Sequence, residues 1–195
     1  MTGVILAGGN SRRMGFNKAF IKINDETIIE KSMKLFKSIF DDVFVVANDI
    51  LLYENLGERI YSDVYGNSGS LGGVFTALFH ARDNWAFVAA CDMPYLEGRT
   101  IKKIHDFPRK GYDAIVPFIN DGYHPMHALY SKRCLKRMEL MIKEGNLRIT
   151  DFLKSKGIKT RKLLETEFGN LPIKTSIENM NTREDLLKTG LSSRG

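Results

Sequence analysis

A chain of 195 residues, 43% hydrophobic and 27% charged, has the size and balance of one globular domain, 1–195, with enough apolar side chains for a core that needs no staples. Two distant cysteines, Cys91 and Cys134, exclude a disulfide framework or a CxxC metal site, no apolar run reaches the ~18 residues of a membrane span, and the start MTGVILAGG is no secretory signal, so a cytoplasmic protein is expected. The net charge of +6 fits a lysine-rich solvated surface or an anionic ligand, and with no basic block of five and no nucleic-acid-binding signature, a nucleotide or phosphorylated metabolite is favoured over nucleic acid.

Residues 3–7 (GVILA) form a continuous apolar run, the pattern of a strand covered on both faces, stopped by Gly8-Gly9. Residues 19–23 alternate and read as a short strand or bend. Residues 27–40 carry apolar side chains at 28, 29, 33, 35, 36, 39 and 40, which predicts an amphipathic helix starting near Asp25 or Glu26. A second buried strand follows at 42–47, then a short helix at 50–56 and a minor strand at 59–61. The stretch GNSGSLGG at 66–73 leads into a helix over 74–81, and WAFVAA at 85–90 is a third buried strand ending at Cys91-Asp92. A helix at 97–105 and a strand at 113–116 come next. Residues 124–130 are strand-like, with Pro125 marking an edge or a strand start. Helices are expected over 131–143, 149–156 and 182–188, with a late strand at 158–163.

Strands alternating with helices predict an α/β fold, a mostly parallel sheet with helices on both faces. Ligands of such sheets bind beyond the carboxyl ends of the strands, where the strand order switches. Residues 8–18, Asn48-Asp49 and Asp92 are therefore expected to converge.

The segment at 6–18, LAGGNSRRMGFNK, packs three glycines and three basic residues behind a buried strand. Glycines let backbone N–H groups approach a polyanion, Ser11 adds a hydroxyl donor, and Arg12, Arg13 and Lys18 add charge-assisted contacts to phosphate. The alternative is a plain tight turn with solvated arginines. Neither the dinucleotide fingerprint GxGxxG nor the P-loop GxxxxGK[ST] is present.

This loop resembles the signature LAGGxSxRMGxxK of the molybdenum cofactor guanylyltransferases. Asn48, Asp63 in YSD, the turn at 66–73, CDMPYL at 91–96, His124-Pro125 and NMNTREDL at 179–186 follow in that family's order. The resemblance implies a Rossmann-like three-layer sandwich, and an enzyme that moves GMP from GTP onto the phosphate of a molybdopterin-type cofactor with release of pyrophosphate. Mg²⁺ is the implied cofactor, and partners among cofactor-biosynthesis or acceptor enzymes are implied as transient contacts. A carboxylate at the end of a central strand suits a hard cation, and the family match gives Asp92 that metal role; a turn cap before Pro94 is the plainer alternative.

Leu6, Ala7, Gly8, Gly9, Ser11, Lys18, Asn48, Asp63 and Asp92 are the implied nucleotide contacts, with Asp63 suited to the donor edge of guanine and an Asx-turn as its alternative. Lys18, Arg12, Arg13 and Asp92 carry catalysis on this reading, and His124, Arg148, Asn179 and Asn181 contact the acceptor. His124 is expected to bind acceptor rather than act as a base, His127 to be packed, Arg148 to clamp phosphate or form a surface salt bridge, Asn181 to bind pterin or cap the last helix, and both cysteines to be buried apolar groups. The family pattern GPLAG is replaced here by Gly69-Ser70-Leu71-Gly72-Gly73, while Gly9 favours guanine over cytosine. Transfer from CTP, a sugar or alditol phosphate acceptor, and a non-catalytic GTP- or pterin-binding protein are the alternatives.

Overall fold

The structure, a computed structural model, describes residues 1–8, 17–23 and 25–180. The chain enters with β1 (Thr2–Leu6), then a 3-10 turn at Lys18–Phe20, the short pair β2 (Lys22–Ile23) and β3 (Glu26–Thr27), α1 (Ile28–Lys37), β4 (Asp42–Val46), a 3-10 helix at Leu51–Leu56 and β5 (Ile60–Tyr61). It continues through α2 (Gly69–His80), β6 (Trp85–Ala90), α3 (Gly98–His105), β7 (Ala114–Ile119), β8 (Gly122–Tyr123) and β9 (His127–Ser131). The last described elements are α4 (Leu135–Lys143), α5 (Ile149–Lys154), β10 (Thr160–Leu164) and α6 (Ile173–Ser176).

The sheet order is β10-β7-β9-β6-β1-β4-β5, with β8 folded back on β7. β6, β1, β4 and β5 run parallel, whereas β9 lies antiparallel between β6 and β7. The side-chain period of two divides each strand between two cores. Ile5, Val45 and Phe87 face Phe36 of α1 and Ile101 of α3, while Val4, Phe44 and Val88 face Val74 of α2, Met138 of α4 and Phe152 of α5. The sheet is thus mostly parallel and covered on both faces, as the alternation of elements predicts. After β1 the chain builds outward through β4 and β5, then crosses to place β6 on the other side of β1. The order switches at β1, so the crevice for a ligand opens between the carboxyl ends of β1, β4 and β6.

Several boundaries differ from the sequence expectation for local reasons. α1 starts from Thr27, whose hydroxyl accepts from the Glu30 N–H at 3.3 Å while Glu30 Oε2 accepts from the Thr27 N–H at 2.9 Å. This capping box outcompetes Asp25, which instead turns the β2–β3 pair at φ 66°. Asn120 and Asp121, at φ 50° and 58°, make the tight turn into β8, an element the hydrophobic pattern alone does not reveal. β9 is central rather than at an edge, and Pro125 stands outside it, where its missing N–H costs no ladder bond. The helix expected at 182–188 lies outside the described residues.

His127 sits in β9 with its ring against Phe87, centroids 5.2 Å apart and nearly perpendicular. It is packed, as expected, but neither ring nitrogen has a hydrogen-bond partner among the described residues. Complete burial, with a smaller contribution from nearby His124, pushes its pKa down to about 3 from 6.5. The unfolded chain therefore binds a proton near pH 6.5 that the folded chain refuses until near pH 3, so stability falls as pH drops through that window, at up to about 1.4 kcal/mol per unit. His127→Leu removes this slope. In urea unfolding between pH 7 and pH 5, the variant is expected to lose less stability than the wild type; parallel losses would contradict the assignment.

Candidate active site

Backbone hydrogen bonds continue past the ends of the central strands and draw three loops together. The Ala7 N–H donates to the Val46 carbonyl at 2.7 Å, and the Cys91 N–H donates to the Leu6 carbonyl at 3.0 Å. The loops that follow β1, β4 and β6 therefore leave the sheet side by side. They enclose a cleft of about 510 Å³ lined by Leu6, Gly8, Lys18, Asn48, Asp63, Asp92 and Asn179, with Gly69 and Ser70 of α2. Of the residues expected from strand order to converge, Gly8, Lys18, Asn48 and Asp92 line it, Asp49 is not among the lining residues, and 9–16 lie outside the described residues.

Lys18 and Asp92 face each other in this cleft, Nζ to Oδ2 at 3.9 Å, with their side chains 15% and 26% exposed. Burial pushes the Asp92 carboxyl above its ordinary range, and the Lys18 ammonium opposes that shift. A carboxylate short of water has much to gain from a cation, and an ammonium at its side is placed for a phosphate oxygen. The Asp92 carbonyl accepts from the Met180 N–H at 2.9 Å, which ties the segment carrying Asn179 to the same wall. Asn48 donates from Nδ2 to the Gly8 carbonyl at 3.4 Å, so its side chain orients the start of the glycine loop.

Asp63 organises the turn before α2. Its Oδ1 accepts from the Tyr65 N–H at 3.2 Å and the Thr76 hydroxyl at 3.1 Å, and its Oδ2 accepts from Ser68 Oγ at 3.1 Å. A carboxylate offers about four acceptor positions, so roughly one remains for a ligand. Here Ser68 explains why glycine stands at 72 where GPLAG has alanine; nothing in the structure explains Ser70 in place of proline. A Cβ on Gly72 would lie 1.7 Å from Ser68 Oγ and 2.6 Å from Ser68 Cβ, so only glycine leaves room for the Ser68–Asp63 bond. Gly72 and Gly73 thus belong to the first turns of α2, which begins five residues earlier than the apolar pattern suggests. Gly72→Ala is expected to unseat Ser68 and cost about 1–3 kcal/mol in urea unfolding. An unchanged unfolding midpoint would show that the turn absorbs the methyl group.

Of the other expected site residues, Ala7 is buried beneath the cleft and accepts from Tyr53 through its carbonyl. His124 lies before β9, its Nε2 3.3 Å from the Ile119 carbonyl, and burial lowers its pKa. Arg148 is exposed at the start of α5. Neither His124 nor Arg148 is among the residues lining the cleft. Gly9, Ser11, Arg12, Arg13 and Asn181 lie outside the described residues. Both cysteines are buried as expected, with thiols pushed up to about 12 by that burial. Asn17 and Tyr53 lie outside the cleft lining but are hydrogen-bonded to each other beside it; Asn17 falls within the segment 6–18 just before Lys18, and Tyr53 in the short helix Leu51–Leu56.

Among the described residues, no group of three or more His, Cys, Asp or Glu side chains is arranged to hold a metal ion alone. A half-buried Asp92 fits instead a cation whose other ligands are water and substrate phosphates, the usual habit of magnesium. Nor is any described helix long and apolar enough to cross a membrane.

Residues 3–159 match the family model of the MobA-like NTP transferase domain. The chain is 35% identical over 192 residues to the molybdenum cofactor guanylyltransferase of Desulfosudis oleivorans, covering 96% of this chain and 93% of that protein. The crystal structure of molybdopterin-guanine dinucleotide biosynthesis protein A from Archaeoglobus fulgidus shares the fold with a TM-score of 0.83 at 23% identity, over 97% of this chain and 96% of that one. A Mycobacterium tuberculosis protein solved as a manganese complex shares it with a TM-score of 0.66 at 17% identity, over 96% of each chain. With Gly8, Lys18 and Asp92 gathered at the strand-order switch, the chain belongs to the MobA-like NTP transferase family.

Proposed function

We propose that the chain, working as one domain in the cytoplasm, transfers GMP from GTP to the terminal phosphate of a molybdopterin-type cofactor and releases pyrophosphate. The guanine dinucleotide form of the cofactor is the product. The observation that carries this reading is the Lys18–Asp92 pair, 3.9 Å apart in the cleft beyond β1 and β6. The sequence relationship to guanylyltransferases supports the choice of GTP and acceptor.

In the reaction an acceptor phosphate oxygen bonds to the α-phosphorus of GTP. The bond from that phosphorus to the bridging oxygen breaks, and pyrophosphate leaves with the electron pair. The attacking oxygen is already anionic and the leaving group is good, so the protein needs no strong base. Its work is positioning and charge stabilisation. Lys18 meets the charge that builds on the phosphate oxygens, with Arg12 and Arg13 of the same loop gripping the departing pyrophosphate. Leu6, Ala7, Gly8, Gly9, Ser11 and Asn48 hold the nucleotide, and Asp63 offers its remaining acceptor position to the guanine edge. Asn179 in the cleft, with Asn181, His124 and Arg148, serves the acceptor. A divalent cation supplies Lewis-acid neutralisation of phosphate charge when bound, with Asp92 as its protein ligand. Magnesium is our choice, and the manganese in the mycobacterial relative supports divalent chemistry.

Pyrophosphate release measured with each of the four nucleoside triphosphates, molybdopterin acceptor and Mg²⁺ tests the reading. GTP alone is expected to turn over, with a product heavier by GMP. Preference for CTP, or GTP binding without pyrophosphate, would overturn it.

A further inference from the structure

Tyr53 belongs to the 3-10 helix Leu51–Leu56 and is 1% exposed, yet its hydroxyl both donates and accepts. It donates to the Ala7 carbonyl at 3.3 Å and accepts from Asn17 Nδ2 at 2.7 Å. These partners stand on either side of the glycine-rich segment: Ala7 follows β1, and Asn17 precedes Lys18. A single phenol therefore ties both ends of the loop to each other and to the helix beneath.

The tie extends to the reacting groups. Asn17 Oδ1 accepts from the Ala19 N–H at 3.0 Å and so caps the turn Lys18–Phe20. Within that turn the Phe20 ring packs on the Tyr53 ring, centroids 5.1 Å apart. The backbone of Lys18 is thus held on one side by the Asn17 cap and on the other by an aromatic contact, both of which end on Tyr53. From that anchored backbone Lys18 reaches Asp92. Lysine has a flexible four-carbon stem, so where its ammonium sits depends on how firmly its Cα is fixed. Displacement by an ångström is enough to lose much of a preorganised contact.

We propose that Tyr53 and Asn17 are positioning residues for nucleotidyl transfer: the phenol hydroxyl clamps the two ends of the glycine loop and, through Asn17, sets Lys18 against Asp92. The inference rests on the guanylyltransferase reading, in which Lys18 stabilises the transition state. It also assigns a task to the helix Leu51–Leu56, none of whose residues lines the cleft.

The test is kcat at saturating GTP and acceptor for the wild type, Tyr53→Phe, Lys18→Ala and the double variant, with melting curves to count folded enzyme. Tyr53→Phe keeps the ring and removes only the hydroxyl. It is expected to lower kcat about tenfold in the wild-type background and less than twofold when Lys18 is already absent, the non-additivity of residues acting as one unit. Asn17→Ser keeps a capping oxygen but is too short to reach the phenol. It is expected to give the same loss, with no further loss when combined with Tyr53→Phe, and it carries the test if Tyr53→Phe folds poorly. Unchanged kcat, or an equal loss in both Lys18 backgrounds, would reduce Tyr53 to a packing residue and overturn the proposal. Full activity of Lys18→Ala is the separate result that would bring down the underlying reading, and the clamp with it.

Discussion

Asp92→Asn is expected to lower turnover by about a thousandfold or more, about 4 kcal/mol of barrier, while the protein melts at or above the wild-type temperature. The two halves of this result have one cause. Burial raises the Asp92 carboxyl above its ordinary pKa of 3.8, so the folded chain holds that proton more tightly than the unfolded chain. The ionised carboxylate accordingly opposes folding at every pH above its folded pKa, and an uncharged amide of the same shape removes that cost. The same amide is a poor ligand for a hard cation. Thermal melting and steady-state pyrophosphate release on one preparation check both halves. Activity close to wild type at saturating GTP and Mg²⁺ would remove Asp92 from the mechanism. In the wild type, kcat/KM for the magnesium–GTP complex, which reports the metal-free enzyme, is expected to fall on the acid side as Asp92 takes up its proton, at a pH above that of an ordinary exposed aspartate.

Lys18→Ala is expected to lower kcat at least about a hundredfold, near the ~2.7 kcal/mol typical of losing one preorganised donor. A lysine that bound substrate and transition state equally would change KM alone, so the division between kcat and KM decides the role. A second signature follows from the ion pair. Lys18 is the group that opposes the upward push of burial on Asp92. Without it the Asp92 carboxyl of the metal-free enzyme rises further, and the acid limb of the kcat/KM profile moves to higher pH. An unmoved limb together with a purely KM effect would show that Lys18 only attracts the triphosphate from solution.

The parts of this site that were legible in the sequence are those fixed by strong, local physics. WAFVAA at 85–90 is a six-residue apolar run, and β6 has those bounds because no polar side chain competes for the core. Three such runs ending in Gly8, Asn48 and Asp92 were enough to place those residues in one cleft, since backbone pairing between neighbouring strands requires it. The start of α2 was not legible, because glycine normally reads as a helix breaker. Here Gly72 is in the helix to leave space for the Ser68 side chain four residues before it, a close approach that only the fold discloses. Pro125 leaves an edge strand and a strand start open for a similar reason: it is a local signal that precedes the start of β9, whereas the insertion of β9 between β6 and β7 is long-range. Tyr53 was invisible as a functional residue because its hydroxyl acts on Ala7, 46 positions away. For Asp63 the sequence offers a guanine-reading carboxylate or an Asx-turn; the Tyr65 N–H on Oδ1 is that turn, and the bonds from Ser68 and Thr76 add to its structural task.

A crystal structure with a non-hydrolysable GTP analogue and Mg²⁺ tests the central claim most directly. The triphosphate is expected to lie across the carboxyl ends of β1 and β6, with phosphate oxygens within hydrogen-bond reach of Lys18 Nζ and the cation bound to an Asp92 oxygen. A nucleotide seated elsewhere on the sheet, or one that leaves Lys18 and Asp92 paired with each other and untouched, would contradict it.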